Sequence, residues 1–304
     1  MRHGFLLIDK PEGPTSHDVV AEVRRILHEP KIGHLGTLDP AAKGLLVLAV
    51  GAKALKVVEL FKDAEKTYEA RVQFGAVSKT YDREGPIEET PPRKGWTVPT
   101  ERELIQCLET HFLGDREQMP PPHSAVHIDG KRAYEIVRGN PDAPFLLPSR
   151  KVHIARIQLL SYAYPKACIR IACSSGTYIR SLAHDLGQLL RCGAYLEGLK
   201  RLKVGGWKIE DACSLEIPNP KLQTPNSNIR EVRWMRVIPL KEVLCSFPRH
   251  DLSVADWGEV QHGRSIPLRN IGNETMIAWF ENLPVAILER DPKAPGRAHP
   301  RKVL

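Results

Sequence analysis

The chain has 304 residues, of which 42% are hydrophobic, and its 44 basic and 36 acidic side chains give a formal charge of +8. That length accommodates one large domain with a small one, or two medium domains, each with a sizeable core. No segment approaches the ~18 consecutive apolar residues of a membrane span, and the basic balance favours an anionic partner, nucleic acid first.

The amino terminus, "MRHGFLLIDKPEG", holds an apolar run too short for a signal peptide. It predicts a strand over Phe5–Ile8 followed by a Lys-Pro-Glu-Gly turn. Ser16 then reads as a helix N-cap. Val19, Val20, Val23, Ile26 and Leu27 recur at helical spacing behind it. "GLLVLAVG", Gly44–Gly51, predicts a buried strand, and "AKALKVVELFK" a helix. "KTYEARVQFG", Lys66–Gly75, alternates with Tyr68, Ala70, Val72 and Phe74 on one side. Residues 85–99 are proline-rich and polar, hence a loop. Thr100 and Glu103 form a capping box ahead of Leu104, Ile105, Leu108 and Phe112.

"MPPPHSAVHIDGKRAYEIVRGN" is expected to start extended and to end in a short helix. "RKVHIARIQLLSY" and "ACIRIACSSG" read as paired strands. "TYIRSLAHDLGQLL" reads as a helix with Ile179, Leu182, Ala183, Leu186 and Leu190 inside. "LEGLKRLKVGGWKI" is extended. The polar stretch "PNPKLQTPNSNIRE" is the linker candidate, and the runs "TMIAWF", "PVAILER" and "RKVL" predict strands beyond it. The expected organisation is α+β: one mixed domain over 1–231 and a small β-rich one over 232–304. Six cysteines occur with no CxxC pair, and no histidines cluster at metal spacing, so no metal site is expected and the thiols read as those of a reduced, cytoplasmic protein.

One stretch carries chemistry. "GHLGTLDP", Gly33–Pro40, holds Asp39 just before a proline. Asp-Pro is a common helix start, with Asp as the cap. The residue before proline is pushed off helical backbone, however, and glycines cluster where a ligand approaches closely. Asp39 is therefore either a cap or a carboxylate presented by the loop.

"GHLGTLDPAAKGLLVLAVG" resembles the signature motif of the TruB family, the bacterial tRNA pseudouridine-55 synthases. "LLIDKPEGPTSHDVV", "KTYEARVQFG", "SKTYDREG", "PPPHSAVHIDGKRAYEIVRGN", "CSSGTYIRSLAHDLG" and "CGAYLEGLKRLKVG" resemble the family's other motifs, in family order, over about residues 4 to 207. The resemblance implies the pseudouridine synthase fold, a mixed and mostly antiparallel sheet flanked by helices. It also implies a small PUA-like carboxy-terminal domain, on the weaker match of "VQHGRSIPL" and "PRKVL".

The resemblance assigns roles residue by residue. Asp39 is the catalytic carboxylate, which stabilises charge at the sugar, attacks its C1′ or removes a sugar proton. Arg180 pairs with it. Tyr68 stacks on a flipped base, Asp82 accepts from uracil N3–H, and Tyr178 and Leu199 line the pocket. Without the resemblance, Tyr68 and Leu199 read as core residues and Arg180 as a surface residue. His34 contacts the RNA. Lys131, Arg132 and Arg138 belong to an arm that grips phosphates. No cofactor is required, since nothing is added or lost. This sequence departs from the family at His123, where tyrosine or phenylalanine is usual, at His127, where lysine is usual, and at Lys79, where an acid is often found.

The expected function is isomerisation of uridine 55 in the tRNA T-loop by a monomer that needs no protein partner and binds no membrane. Two alternatives stand beside it: the catalytic subunit of a guide-RNA pseudouridylation complex, and a tRNA-folding chaperone using the same cleft. The guide-RNA subunit would be expected to carry extra segments for partners, and here the first motif begins at once.

Overall fold

The computed structural model describes residues 3–91, 93–122, 127–128, 131–132, 148–214, 236–268 and 275–304, with residues 127–128 and 131–132 described as strands only. The elements run β1 (Gly4–Lys10), α1 (Ser16–Leu27), β2 (Ile32–His34), β3 (Ala42–Val50), α2 (Ala52–Val57), β4 (Lys66–Phe74), β5 (Ala76–Ser78), β6 (Ile87–Glu89), α3 (Glu101–His111), β7 (Gly114–Gln118), β8 (His127–Ile128) and β9 (Lys131–Arg132). They continue β10 (Arg150–Ala163), β11 (Lys166–Cys173), α4 (Ile179–Leu189), β12 (Ala194–Val204), β13 (Trp207–Lys208), β14 (Cys213–Ser214), β15 (Ile238–Pro239) and α5 (Leu240–Val243). Last come β16 (Arg249–Asp251), α6 (Val254–Val260), β17 (Ile266–Pro267), β18 (Met276–Phe280), β19 (Leu283–Arg290) and β20 (Arg297–Val303). The linker candidate at 218–231 and most of the segment from His123 to Asn140 lie outside the described residues.

An 11-stranded sheet dominates, in the order β14-β1-β3-β12-β4-β11-β10-β7, with β2, β13 and β15 attached at its margins. Pairing is antiparallel except for β1–β14 and β3–β12. Strand alternation divides the packing. Leu6, Ile8, Leu46, Leu48 and Val50 face the apolar stripe Val19, Val20, Val23 and Leu27 of α1. Phe5, Leu7, Leu45 and Val47 face the other way, onto α2 and the carboxy-terminal residues Ile277, Trp279 and Ile287. The strand expected over 66–75 has the inward set expected of it: Tyr68, Ala70, Val72 and Phe74 are buried with α3 and α4 in the main core.

A second, 5-stranded sheet, β16-β18-β19-β20-β17, forms the carboxy-terminal part. The fold is thus the expected α+β arrangement, with a small β-rich end. The chain re-enters the large sheet before reaching the small one, because Phe5 of β1 pairs with Ile238 of β15. The last strand is also tied back. Arg301 and Lys302 pair with Glu59, and the Lys56 ammonium donates to the Val303 carbonyl at 2.5 Å. Among the described residues no helix is long and apolar enough to cross a membrane. All six cysteines are free.

One helix start differs from expectation. Thr15, not Ser16, caps α1, in a capping box with Asp18. Two adjacent hydroxyl residues compete for the cap, and Ser16 is drawn inward by a different partner, Leu38.

Candidate active site

Asp39 sits on the loop between β2 and β3, and that loop is held from beneath by buried polar groups. Ser16 Oγ donates to the Leu38 carbonyl at 2.9 Å and accepts from the Leu38 amide at 2.8 Å. The fully buried Lys10 donates to the carbonyls of Ala42 at 2.7 Å and Pro40 at 3.4 Å. The Gly13 amide donates to the Pro40 carbonyl at 2.9 Å. Burial lowers the Lys10 ammonium from its ordinary pKa, and the nearby Asp39 charge opposes that shift.

Arg201 is the largest of these anchors and only 1% exposed. Its Nε donates to the Leu45 carbonyl at 2.7 Å, Nη1 to that of Thr37 at 3.3 Å and Nη2 to that of Gly36 at 3.1 Å. The parallel pairing of β12 with β3 sets Arg201 beside Gly44. Gly44 has φ +103°, and a Cβ there would lie 2.3 Å from the Arg201 carbonyl, so only glycine lets the two strands close. On its other side Arg201 lies opposite Tyr68 in the pairing of β12 with β4. The loop under Asp39 and Tyr68 thus flank one buried cation.

Arg180, on the first turn of α4, joins two acids. Its Nε lies 3.2 Å from Asp39 Oδ2, and its Nη1 lies 3.2 Å from Asp82 Oδ2 and 3.4 Å from the Thr80 carbonyl. The Asp39 side chain is 43% exposed, whereas those of Arg180 and Asp82 are 12% and 7% exposed. The outer acid is the one open to a ligand. Asp82 is also held from within: its Oδ1 accepts from the Thr80 hydroxyl at 2.6 Å and the Glu84 amide at 3.0 Å. Glu84 lies in the field of the same acids. Burial first, then the charges of Asp82 and Asp39, raise its pKa.

Tyr68 is 7% exposed and part of the main core, and burial raises its phenol pKa. Tyr178 immediately precedes α4. Gln118 grips its backbone from both sides, accepting from Tyr178 N at 2.8 Å and donating to Tyr178 O at 2.9 Å. The Arg150 guanidinium lies over the Tyr178 ring at 4.9 Å. Leu199 pairs with Ala42 at the end of the Asp39 loop and with Ala70 of β4, and it packs against the main core. His34 ends β2, edge-on to His17 at 5.4 Å between ring centroids, and burial lowers its pKa.

The structure therefore brings Asp39, Arg180 and Asp82 into one linked group, with Tyr68 and Leu199 on neighbouring strands and Tyr178 just ahead of the helix that carries Arg180. Lys131 and Arg132 form a two-stranded ribbon with His127 and Ile128, in which His127 faces Arg132. His123 and Arg138 lie outside the described residues. Sequence reasoning missed Ser16 as a loop anchor, together with Lys10, Arg201 and Gln118. Among the described residues no group of three or more His, Cys, Asp or Glu side chains could hold a metal ion. A half-exposed carboxylate, held against a guanidinium near a buried tyrosine and a partly buried leucine, can stabilise or capture an electron-poor carbon.

Residues 24–179 match the family described as TruB family pseudouridylate synthase, N-terminal domain. The chain is 39% identical over 264 residues to "tRNA pseudouridine synthase B" of Solibacter usitatus (strain Ellin6076), covering 87% of this chain and 86% of that one. It is 38% identical over 269 residues to the protein of that name from Syntrophomonas wolfei subsp. wolfei, covering 87% and 85%. Among solved structures it is similar to a chain of a Cbf5-Nop10-Gar1 complex, with TM-score 0.70 and 25% identity over 99% of this chain and 84% of that chain.

Proposed function

We infer that this chain, which belongs to the TruB family of pseudouridylate synthases, is a tRNA pseudouridine synthase. It is an RNA-modifying isomerase. The reaction breaks the N1–C1′ bond of a uridine, turns the uracil and joins C5 to C1′. The C5 proton leaves and N1 ends protonated, so substrate and product have the same atoms.

The observation that carries the site assignment is the placement of Asp39. It is the exposed member of the Asp39–Arg180–Asp82 group, on a loop pinned by Ser16, Lys10 and Arg201. We assign Asp39 the role of the carboxylate that meets C1′ as positive charge develops there. Arg180 orients it. Asp82, whose oxygens already accept from Thr80, Glu84 and Arg180, holds that arginine. Tyr68, Tyr178 and Leu199 form the walls against which a flipped uracil packs. His34 contacts the RNA beside it, as a neutral ring at pH 7. Lys131 and Arg132 contact phosphates and position the RNA without reading its bases.

The substrate we propose is uridine 55 in the T-loop of tRNA, bound by a cytoplasmic monomer without an obligatory protein partner. Residues 1–231 would form the catalytic domain and 232–304 a small RNA-binding domain. The guide-RNA alternative has less support, because the 38–39% identical relatives carry the tRNA name and the Cbf5 chain is 25% identical. Incubating the purified protein with unmodified tRNA and mapping pseudouridine tests the reading. Product at position 55 with no added protein or guide RNA is expected, and modification that appears only with a guide RNA would overturn it.

A further inference from the structure

Tyr81 stands in a backbone conformation that a tyrosine disfavours. Its φ is +64°, in the left-handed region, where a bulky side chain is uncommon. Glycine or asparagine would take this turn readily. The tyrosine ring, however, lies flat on His184, with centroids 3.8 Å apart and planes 8° from parallel. Both backbone groups of Tyr81 are also engaged. Its amide donates to the Ser78 carbonyl at 3.1 Å, and its carbonyl accepts from the Leu196 amide at 3.0 Å.

His184 follows Arg180 by four residues on α4, so the two side chains leave the same face of the helix. That face holds the next stretch of chain at three successive residues. Arg180 bonds the Thr80 carbonyl and the Asp82 carboxylate, while His184 covers Tyr81 between them. The arginine's remaining edge reaches Asp39. A shift of the 80–82 turn along α4 would draw Arg180 after Asp82 and away from Asp39. Hydrogen bonds tolerate such sliding poorly but do not forbid it. A closely overlaid pair of flat rings adds a second restraint beside those bonds. Burial lowers the His184 pKa, so the ring is neutral at pH 7 and brings no second cation beside Arg180.

We propose that the stacked pair Tyr81 and His184 is a positioning device for the reaction, seating the 80–82 turn on α4 at the separation where one arginine reaches Asp82 and Asp39 together. Neither ring touches the reacting atoms. Both act through Arg180, and the inference rests on the reading of Asp39 as the catalytic carboxylate. The strained tyrosine is kept for its ring.

Four variants test it: His184→Ala, His184→Phe, Tyr81→Gly and Tyr81→Phe. Each is assayed in single-turnover pseudouridine formation on unmodified tRNA and in equilibrium tRNA binding, below its measured unfolding onset. A misplacement of about 1 Å at a reacting group can cost about 100-fold in rate. His184→Ala and Tyr81→Gly should lose at least about tenfold in single-turnover rate with tRNA affinity within about twofold, and the two phenylalanine variants should stay near the wild-type rate. Tyr81→Gly is the sharper arm, since it relieves the backbone strain and still should slow the reaction. Wild-type rates in the alanine and glycine variants would overturn the proposal. So would equal losses in the phenylalanine variants, or losses that follow tRNA affinity. An inactive wild-type protein in the same assay would instead overturn the functional reading on which the proposal rests.

Discussion

Ser16 Oγ and the backbone of Leu38 exchange two hydrogen bonds, one in each direction, at 2.9 and 2.8 Å. The side chain of a helix's first residue thereby fixes the residue preceding Asp39. Removing it leaves a buried N–H and a buried C=O without their partner, at about 1–3 kcal/mol each.

Ser16→Ala should therefore destabilise the protein by about 2 kcal/mol or more and slow pseudouridine formation, with tRNA binding little changed. Thr15→Ala removes the actual cap and should cost about 1 kcal/mol without a comparable loss of rate. Denaturant unfolding paired with single-turnover assays separates the two. The reverse ranking on rate would place the loop's support elsewhere.

Arg201 gives the second outcome. Its guanidinium donates to three carbonyls of the Asp39 loop and β3, and the residue is only 1% exposed. Lysine keeps the charge but cannot reproduce that fork. Arg201→Lys should lose at least about 2 kcal/mol, since hydrogen bonds to a charged group are worth about 1.5–3 kcal/mol each. Its rate should fall even where it is fully folded. Stability and rate equal to wild type would remove Arg201 from the support of the loop.

Much of this was legible in the sequence, and the omissions share a cause. The period-2 alternation of 66–74 and the 3.6-period stripe of 179–189 identify buried faces, because those patterns are local. The Asp39 loop shows itself through its glycines and proline. Arg201 does not, since "LKRLKVG" reads like any solvated basic strand. Only the pairing of β12 with β3, distant in sequence, buries it. Ser16 was misread because Thr15 beside it is an equal candidate for the cap. The contacts of Asp82 with Thr80 and Glu84 were not legible, because they are set by a turn in which Tyr81 takes a positive φ, and no local pattern announces that. Helix α6 was missed altogether: it is a single short helix whose only buried residue is Val260.

Asp185 gives the pH dependence. Burial raises its carboxyl from 3.8 to about 6. Between those values the folded protein binds more protons than the unfolded chain, so this group's contribution to stability is present below about pH 4 and is lost as pH rises through about 6. The neighbouring His184, with its pKa lowered by burial, works in the opposite sense and loses stability as pH falls. A difference measurement isolates the acid. The stability of Asp185→Asn minus that of wild type should grow as pH rises from 4 to 7 and then level off. A difference that stays constant with pH would show that Asp185 is not perturbed in the fold.

Asp39 is the residue assigned the chemistry. The direct measurement is single-turnover pseudouridine formation on unmodified tRNA by Asp39→Asn, alongside its tRNA affinity. Asparagine has nearly the same shape without the charge. No product above background is expected, with tRNA affinity within about tenfold of wild type. Turnover near the wild-type rate would contradict the assignment.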